Sequence, residues 1–264
     1  MTDLFLIYLL SAFLTGGAWV AISTIIAERL GSRLGGFVIG LPSTTVVSFL
    51  FIGLSQSPQV ASQATTVFPL IYGFTGIMLA FYAILSRSHR FSISISASIA
   101  AWFILAIAAV AINASFAESL VGYLILTTFS LYLLKPAAGK NQKNRNMVSN
   151  TKMQLLSRAA FSGAIVAAAV LASYYGGPIL GGAFAAFPAS FIAGLIIIDK
   201  TSGIGFSRAM AKSMALSGLT TSVAYGIAVR FLYAPAGLLY GTIAAYTVSI
   251  IIAVPIYYII RKFW

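Results

Sequence analysis

Charge is what this sequence has least of. Only 8% of its 264 residues are charged, with 4 acids against 16 lysines and arginines. Soluble domains carry about a quarter charged residues, and a water-soluble fold of this length could not cover its surface with so few. Cysteine is absent, which excludes disulfides, thiolate metal sites and cysteine nucleophiles. The single histidine, His89, cannot build a metal site alone, and it lies between Arg87 and Arg90 in a polar gap. No apolar run contains a histidine, so an intramembrane serine hydrolase would lack its base. Glycine loops of the Walker type are missing too. The chain is therefore read as no enzyme, with no metal, no cofactor and no ATP drive of its own.

Apolar sequence fills the space: 60% of the residues are hydrophobic. They form runs near the roughly 20 residues needed to cross a bilayer. Nine are read, at about 4–24, 35–55, 66–86, 92–113, 118–134, 158–175, 179–198, 209–230 and 237–260. In hydrocarbon a backbone must satisfy its own hydrogen bonds. Runs this long and unalternating are helices, since barrel strands would alternate and be about half as long. The expected fold is an all-α integral membrane protein with about nine transmembrane helices. Met1-Thr-Asp-Leu-Phe has no basic n-region, so the first run reads as a retained span and not a cleaved signal.

The net charge of +12 is spread among the gaps, which argues against a nucleic-acid partner and for membrane lipids. Basic gaps (Arg29 and Arg33; Arg87 to Arg90; Lys135 to Arg158; Lys200 to Lys212; Arg261 and Lys262) alternate with gaps that hold no basic residue. The positive-inside rule then puts the N-terminus outside and the C-terminus in the cytoplasm, in a membrane of the prokaryotic inner type. Arg230 is the one violation; it either snorkels or faces a polar cavity. The polar loop 135–157 reads as a topology determinant and tether, or as a contact for anionic lipid.

One frame recurs. Leu34-Gly-Gly-Phe-Val-Ile-Gly-Leu-Pro42 returns 146 residues later as Leu180-Gly-Gly-Ala-Phe-Ala-Ala-Phe-Pro188. At the same offset Gly17-Ala18 falls on Gly163-Ala164, Thr44 on Ser190, Leu70 on Leu216 and Thr75 on Thr221. Two repeats follow, at 1–113 and 158–264, joined by a connecting helix at 114–134 and the basic loop. Their displacement by five spans, an odd number, makes them inverted with respect to each other, a plan found in secondary transporters.

Tyr174-Tyr-Gly-Gly-Pro-Ile-Leu-Gly-Gly-Ala-Phe-Ala-Ala-Phe-Pro188, with the glycine-containing loop after Ile198, resembles the GlpM-like small inner-membrane proteins. Those are about half this length, so the resemblance implies a fused, inverted pair of such units. It carries no activity and no functional residue with it.

Proline in a membrane helix frees the carbonyl four residues back; here those carbonyls belong to Val38 and Phe184. Pro42, Ser43, Thr44, Thr45 and Ser48 in one half, with Pro188 and Ser190 in the other, are the candidate substrate site, and Thr221 is a further lining candidate. Gly35, Gly36, Gly40, Gly181 and Gly182 would let backbones approach or hinge. The other reading is kinked packing with hydroxyls bonded back to the preceding turn. Thr220, Ser222 and Tyr225, with Thr65, Thr66, Tyr72 and Thr75, either line the same cavity or bond between helices. Asp199 and Arg230 are the candidates for charge coupling, although Asp199 reads first as an interfacial pair with Lys200.

The function expected is secondary transport by alternating access of a small neutral, anionic or amphipathic solute. A lipid or polyprenyl-carrier translocase and a passive channel are the alternatives. Substrate identity, coupling ion and oligomeric state are not written in these residues.

Overall fold

A computed structural model describes residues 3–137 and 152–263, the side chains of 27–36, 136, 137, 201 and 263 excepted. Among them there is helix and no strand. The helices are α1 (Asp3–Gly40), α2 (Thr44–Ser55), α3 (Pro58–Ala64), α4 (Phe68–Leu85), α5 (Phe91–Ile112), α6 (Phe116–Ala137), α7 (Lys152–Gly176), α8 (Pro178–Ala185), α9 (Ala189–Ser202) and α10 (Ile204–Phe263). Eight stretches among the described residues are long and apolar enough to cross a membrane. The last of them, Ile204–Lys262, runs to 59 residues, about 90 Å at helical rise and far more than one bilayer.

That stretch is two spans. Gly237 interrupts it at φ 73°, ψ 177°, a conformation open almost only to glycine. The chain folds back there: Ser249 donates to the Thr221 carbonyl at 2.9 Å, and the Tyr233 and Thr242 hydroxyls bond at 2.8 Å. The arms 204–236 and 238–263 are thus an antiparallel pair, and the expected count of about nine spans holds. The expected all-α membrane fold holds with it.

Local chemistry sets the other ends. Asn113 closes α5 in the left-handed region at φ 53°. Ser115 and Glu118 then open α6 as a reciprocal capping box, Glu118 Oε2 accepting from Ser115 N at 2.7 Å and Ser115 Oγ from Glu118 N at 3.3 Å. Ser57 caps α3, accepting from Val60 N at 3.2 Å, with Pro58 in the first turn.

Several boundaries differ from the sequence reading. The gap 55–65 contains the short helix α3. The basic gap at Arg29 and Arg33 is helical in its backbone, because Ala27, Glu28, Arg29 and Leu30 are strong helix formers. α7 starts at Lys152, six residues before the expected span, so Arg158 lies within a helix and not in a loop. The rest of that loop, 138–151, lies outside the described residues.

Burial sorts the spans into two tiers. Phe37–Ser55, Phe68–Leu85 and Pro178–Lys200 are 72, 67 and 83% buried over their most apolar 18 residues, and the first arm of α10 is mostly buried between Phe206 and Val229; the spans in α1 before Ile26 and in α5, α6 and α7 are 28–33% buried. The outer tier turns Ile104, Ile107, Ile112, Leu124, Ile125 and Ile251 outward, each more than half exposed. Water would not tolerate such a continuous apolar surface, and lipid favours it. α4 lies against α6, and α1 against α7 and α10. Where α1 and α7 cross, a Cβ on Gly17 would stand 2.8 Å from the Ala159 carbonyl oxygen, and one on Gly163 would strike the Phe13 carbonyl oxygen. These two approaches exchange under the offset of 146, since Gly17 corresponds to Gly163 and Phe13 to Ala159.

Candidate functional site

Both prolines of the recurring frame stand where an inner helix stops. Leu41, Pro42 and Ser43 separate α1 from α2; Ala186, Phe187 and Pro188 separate α8 from α9. Proline lacks the N–H that would continue the helix, so each run breaks rather than bends. The Val38 and Phe184 carbonyls do not stay free. Val38 accepts from Leu41 N at 3.2 Å, and Phe184 from Phe187 N at 3.0 Å. A tight three-residue turn recaptures each one, and these turns also coincide under the offset of 146.

The two breaks meet. Ser43 Oγ and Ser190 Oγ are 3.1 Å apart in a hydrogen bond across 147 residues of chain, and both are buried. Around them Ile39, Leu41, Thr44, Tyr72, Phe187 and Phe191 line a space of about 10 Å³, near the minimum that holds one water. α2 and α9 both start here, so their first-turn N–H groups lie at the site with the positive ends of their dipoles. The Tyr72 phenol lies toward Thr45 and Ser222.

A cation reaches the same place. Arg158 on α7 is only 5% exposed, and its Nη2 donates to the Ser190 carbonyl at 3.4 Å. The positive-inside pattern hid it, because a basic residue beside a basic loop reads as loop. Helical spacing carried the contrary signal: Arg158, Ser162, Val166, Ala169 and Ser173 recur every three or four residues and form the buried face of α7. Ser48 and Ser162, both buried, have hydroxyls with no hydrogen-bond partner among the described residues.

Ser43, Thr44, Pro188 and Ser190 thus come together, with Pro42 buried beside them and Thr45 facing Tyr72. Thr221 is buried, donates to the Ser217 carbonyl at 2.8 Å and stands 3.5 Å from the Gly40 carbonyl oxygen. It braces the first break from α10 and does not line the enclosed space. Close packing surrounds the described glycines of the frame: a Cβ on Gly40 would meet Ser217 at 2.8 Å, on Gly181 the Ser173 side chain, and on Gly182 the Ala64 carbonyl oxygen. The surroundings of Gly35 and Gly36 lie outside the described residues.

Asp199 and Arg230 are not at the site. Asp199 is half-buried at the far end of α9, about 13 Å of helical rise beyond Ser190. Arg230 is a similar distance along α10 from Thr221. Its Nη1 donates to the Ser62 carbonyl at 3.3 Å and to Thr66 Oγ1 at 3.0 Å, and its guanidinium lies 4.8 Å from the centre of the Phe116 ring. Ser62 Oγ donates back to the Arg230 carbonyl at 2.6 Å. At the other end of α10, Arg208 donates to the Ser86 carbonyl at 3.2 Å, and the Tyr82 and Ser207 hydroxyls bond at 2.8 Å. Each end of the inner bundle is therefore tied to the first arm of α10. Among the described residues no group of acids and histidine is gathered for a metal.

Fold and site define a polytopic all-α membrane protein in which two interrupted inner helices meet at a buried polar junction. The family described as "Protein of unknown function (DUF3147)" matches residues 9–115, from within α1 to the start of α6. No curated protein matches the chain, and no solved structure does.

Proposed function

We propose that this protein is a secondary transporter that works by alternating access, with its substrate held where the two broken helices meet. The observation that carries the reading is the buried Ser43–Ser190 contact between two proline breaks at equivalent places in the frame. Two helix N-termini and Arg158 at the junction suit a small anionic group, for which the space of about 10 Å³ must widen.

An inverted repeat, 1–113 against 158–264, supports the mechanism. Gly17 with Ala159 and Gly163 with Phe13 are reciprocal approaches between antiparallel α1 and α7. A two-fold axis that exchanges antiparallel membrane helices lies in the membrane plane, which is the inverted arrangement. The bonds Trp102 Nε1 to Thr75 Oγ1 at 3.0 Å and Ser249 Oγ to the Thr221 carbonyl at 2.9 Å tie corresponding helix pairs in the two halves. Two near-equal halves can exchange conformations, so the junction would open first to one side and then to the other. With the N-terminus outside and the C-terminus cytoplasmic, the Arg230 clamp closes the outer end and the Arg208 clamp the inner end. Prokaryotic inner membrane is the matching location.

Thr44→Cys and Ser190→Cys in vesicles of one orientation test this, since the chain has no other cysteine. A water-soluble thiol reagent should reach each from either face. Cross-linking a Ser62→Cys, Arg230→Cys pair should abolish reaction from the outer face and leave the inner face reactive. No reaction from either face would overturn the proposal.

A further inference from the structure

An apolar groove of about 440 Å³ lies between α5 and α8, walled by Trp102, Phe103, Ile107, Ala183, Phe184 and Phe187 among others. Its one polar lining group, the Trp102 indole N–H, is turned to Thr75 Oγ1 at 3.0 Å. Phe103, Ile107 and Phe184 are exposed at its mouth, which faces the surroundings of the bundle and hence lipid. At that depth the groove offers nothing to water.

The groove reaches the polar junction. Phe187 is a wall of both spaces and their shared partition. Its ring packs on Trp102 at 5.2 Å, Phe103 at 5.6 Å and Phe161 at 6.2 Å. Phe161 lies one turn along α7 from Arg158. A charged site and an apolar channel are thus separated by one side chain, in the non-helical step before Pro188.

Two of the groove's small lining residues have large counterparts in the other half. Under the offset of 146, Ala183 and Ala111 correspond to Phe37 and Tyr257. Those two rings pack on each other with centroids 5.7 Å apart. Two alanines of the groove thus stand where the other half has two aromatic rings.

Resting on the reading of the junction as a substrate site, we infer that the substrate is an amphipathic anion with a single apolar tail. Its carboxylate or phosphate head lies at Ser43, Ser190 and Arg158, and its acyl or prenyl tail lies in the α5–α8 groove. Phe187 must swing aside to join the two spaces.

The test uses the full chain in nanodiscs of neutral lipid. The probes are dodecyl phosphate and dodecanoate, their tail-free counterparts methyl phosphate and acetate, and the uncharged dodecanol. A rise in Tm of several degrees is expected with at least one long-tailed anion, and which one responds separates a phosphate from a carboxylate head. Arg158→Gln and Ala183→Trp should each abolish the rise. Ala111→Trp, at the open end of the groove, serves if Ala183→Trp does not fold. An equal rise with methyl phosphate or acetate that survives Ala183→Trp would overturn the tail and leave the junction as a small-anion site. A rise with dodecanol that survives Arg158→Gln would overturn the inference by making the groove an ordinary lipid contact. No rise with any probe also overturns it, and thiol labelling at Thr44→Cys then decides separately whether the junction opens.

Discussion

Gly17 and Gly163 should be equivalent, and putting alanine at each tests it. A methyl on Gly17 would lie 2.8 Å from the Ala159 carbonyl oxygen, closer than real Cβ atoms come, and one on Gly163 would strike the Phe13 carbonyl oxygen. Both obstacles are backbone atoms, which cannot rotate aside, so α1 and α7 must move apart. Overpacking of this kind costs about 1–3 kcal/mol. Alanine recovers up to about 1 kcal/mol of helix propensity. A net loss of up to about 2 kcal/mol per site follows once the full propensity gain is recovered. Each methyl pushes apart the same helix pair, so once the first has separated them the second meets less resistance. The Gly17→Ala, Gly163→Ala double variant should then fall short of the sum by at least about 0.5 kcal/mol. Equilibrium unfolding in mixed micelles, titrated with a denaturing detergent, measures all three variants. Loss at one site with none at the other, or losses that add fully, would refute a reciprocal crossing.

Arg230→Gln removes a charged donor shared by the Ser62 carbonyl and Thr66 Oγ1, and its contact with the Phe116 ring. A loss of about 1–3 kcal/mol is expected in the same unfolding assay, with faster proteolysis at the α3 end; an unchanged midpoint would show the clamp carries nothing. Gly237→Ala forces an L residue to φ 73°, ψ 177°, at a cost of about 1–3 kcal/mol. The lost stability should come with a shifted tryptophan fluorescence, Trp19 packing on Tyr246 of the second arm, only if the hairpin of α10 supports the neighbouring helices; a silent substitution would argue that the turn is relaxed.

The spans were legible in the sequence because lipid imposes one rule on every helix: about 20 apolar residues between polar ends. The interruptions at Pro42 and Pro188 were legible too, since proline acts on its own backbone. What the breaks do with their carbonyls was not, because Leu41 and Phe187 recapture Val38 and Phe184 through turns that hydropathy does not encode. Short α3 was missed, as seven residues in a polar gap leave little periodic signal. Arg158 was assigned by its charge to a loop, although its spacing with Ser162 and Val166 put it on the inner face of α7. The α5–α8 groove was out of reach. It depends on which residues Ala111 and Ala183 face across the bundle, which hydropathy does not encode.

Everything turns on whether the two halves face opposite ways across the bilayer. Ser88 lies between α4 and α5, and Ala234 lies 146 residues later beside the turn of α10; both are exposed. In a chain without native cysteine, Ser88→Cys and Ala234→Cys each carry the only thiol. An impermeant maleimide applied to intact cells and then to inverted vesicles reads which face each one occupies. Ser88→Cys is predicted to react only from the cytoplasmic face and Ala234→Cys only from the outside. Reaction of both from the same face would contradict the inverted repeat, and with it alternating access at the junction.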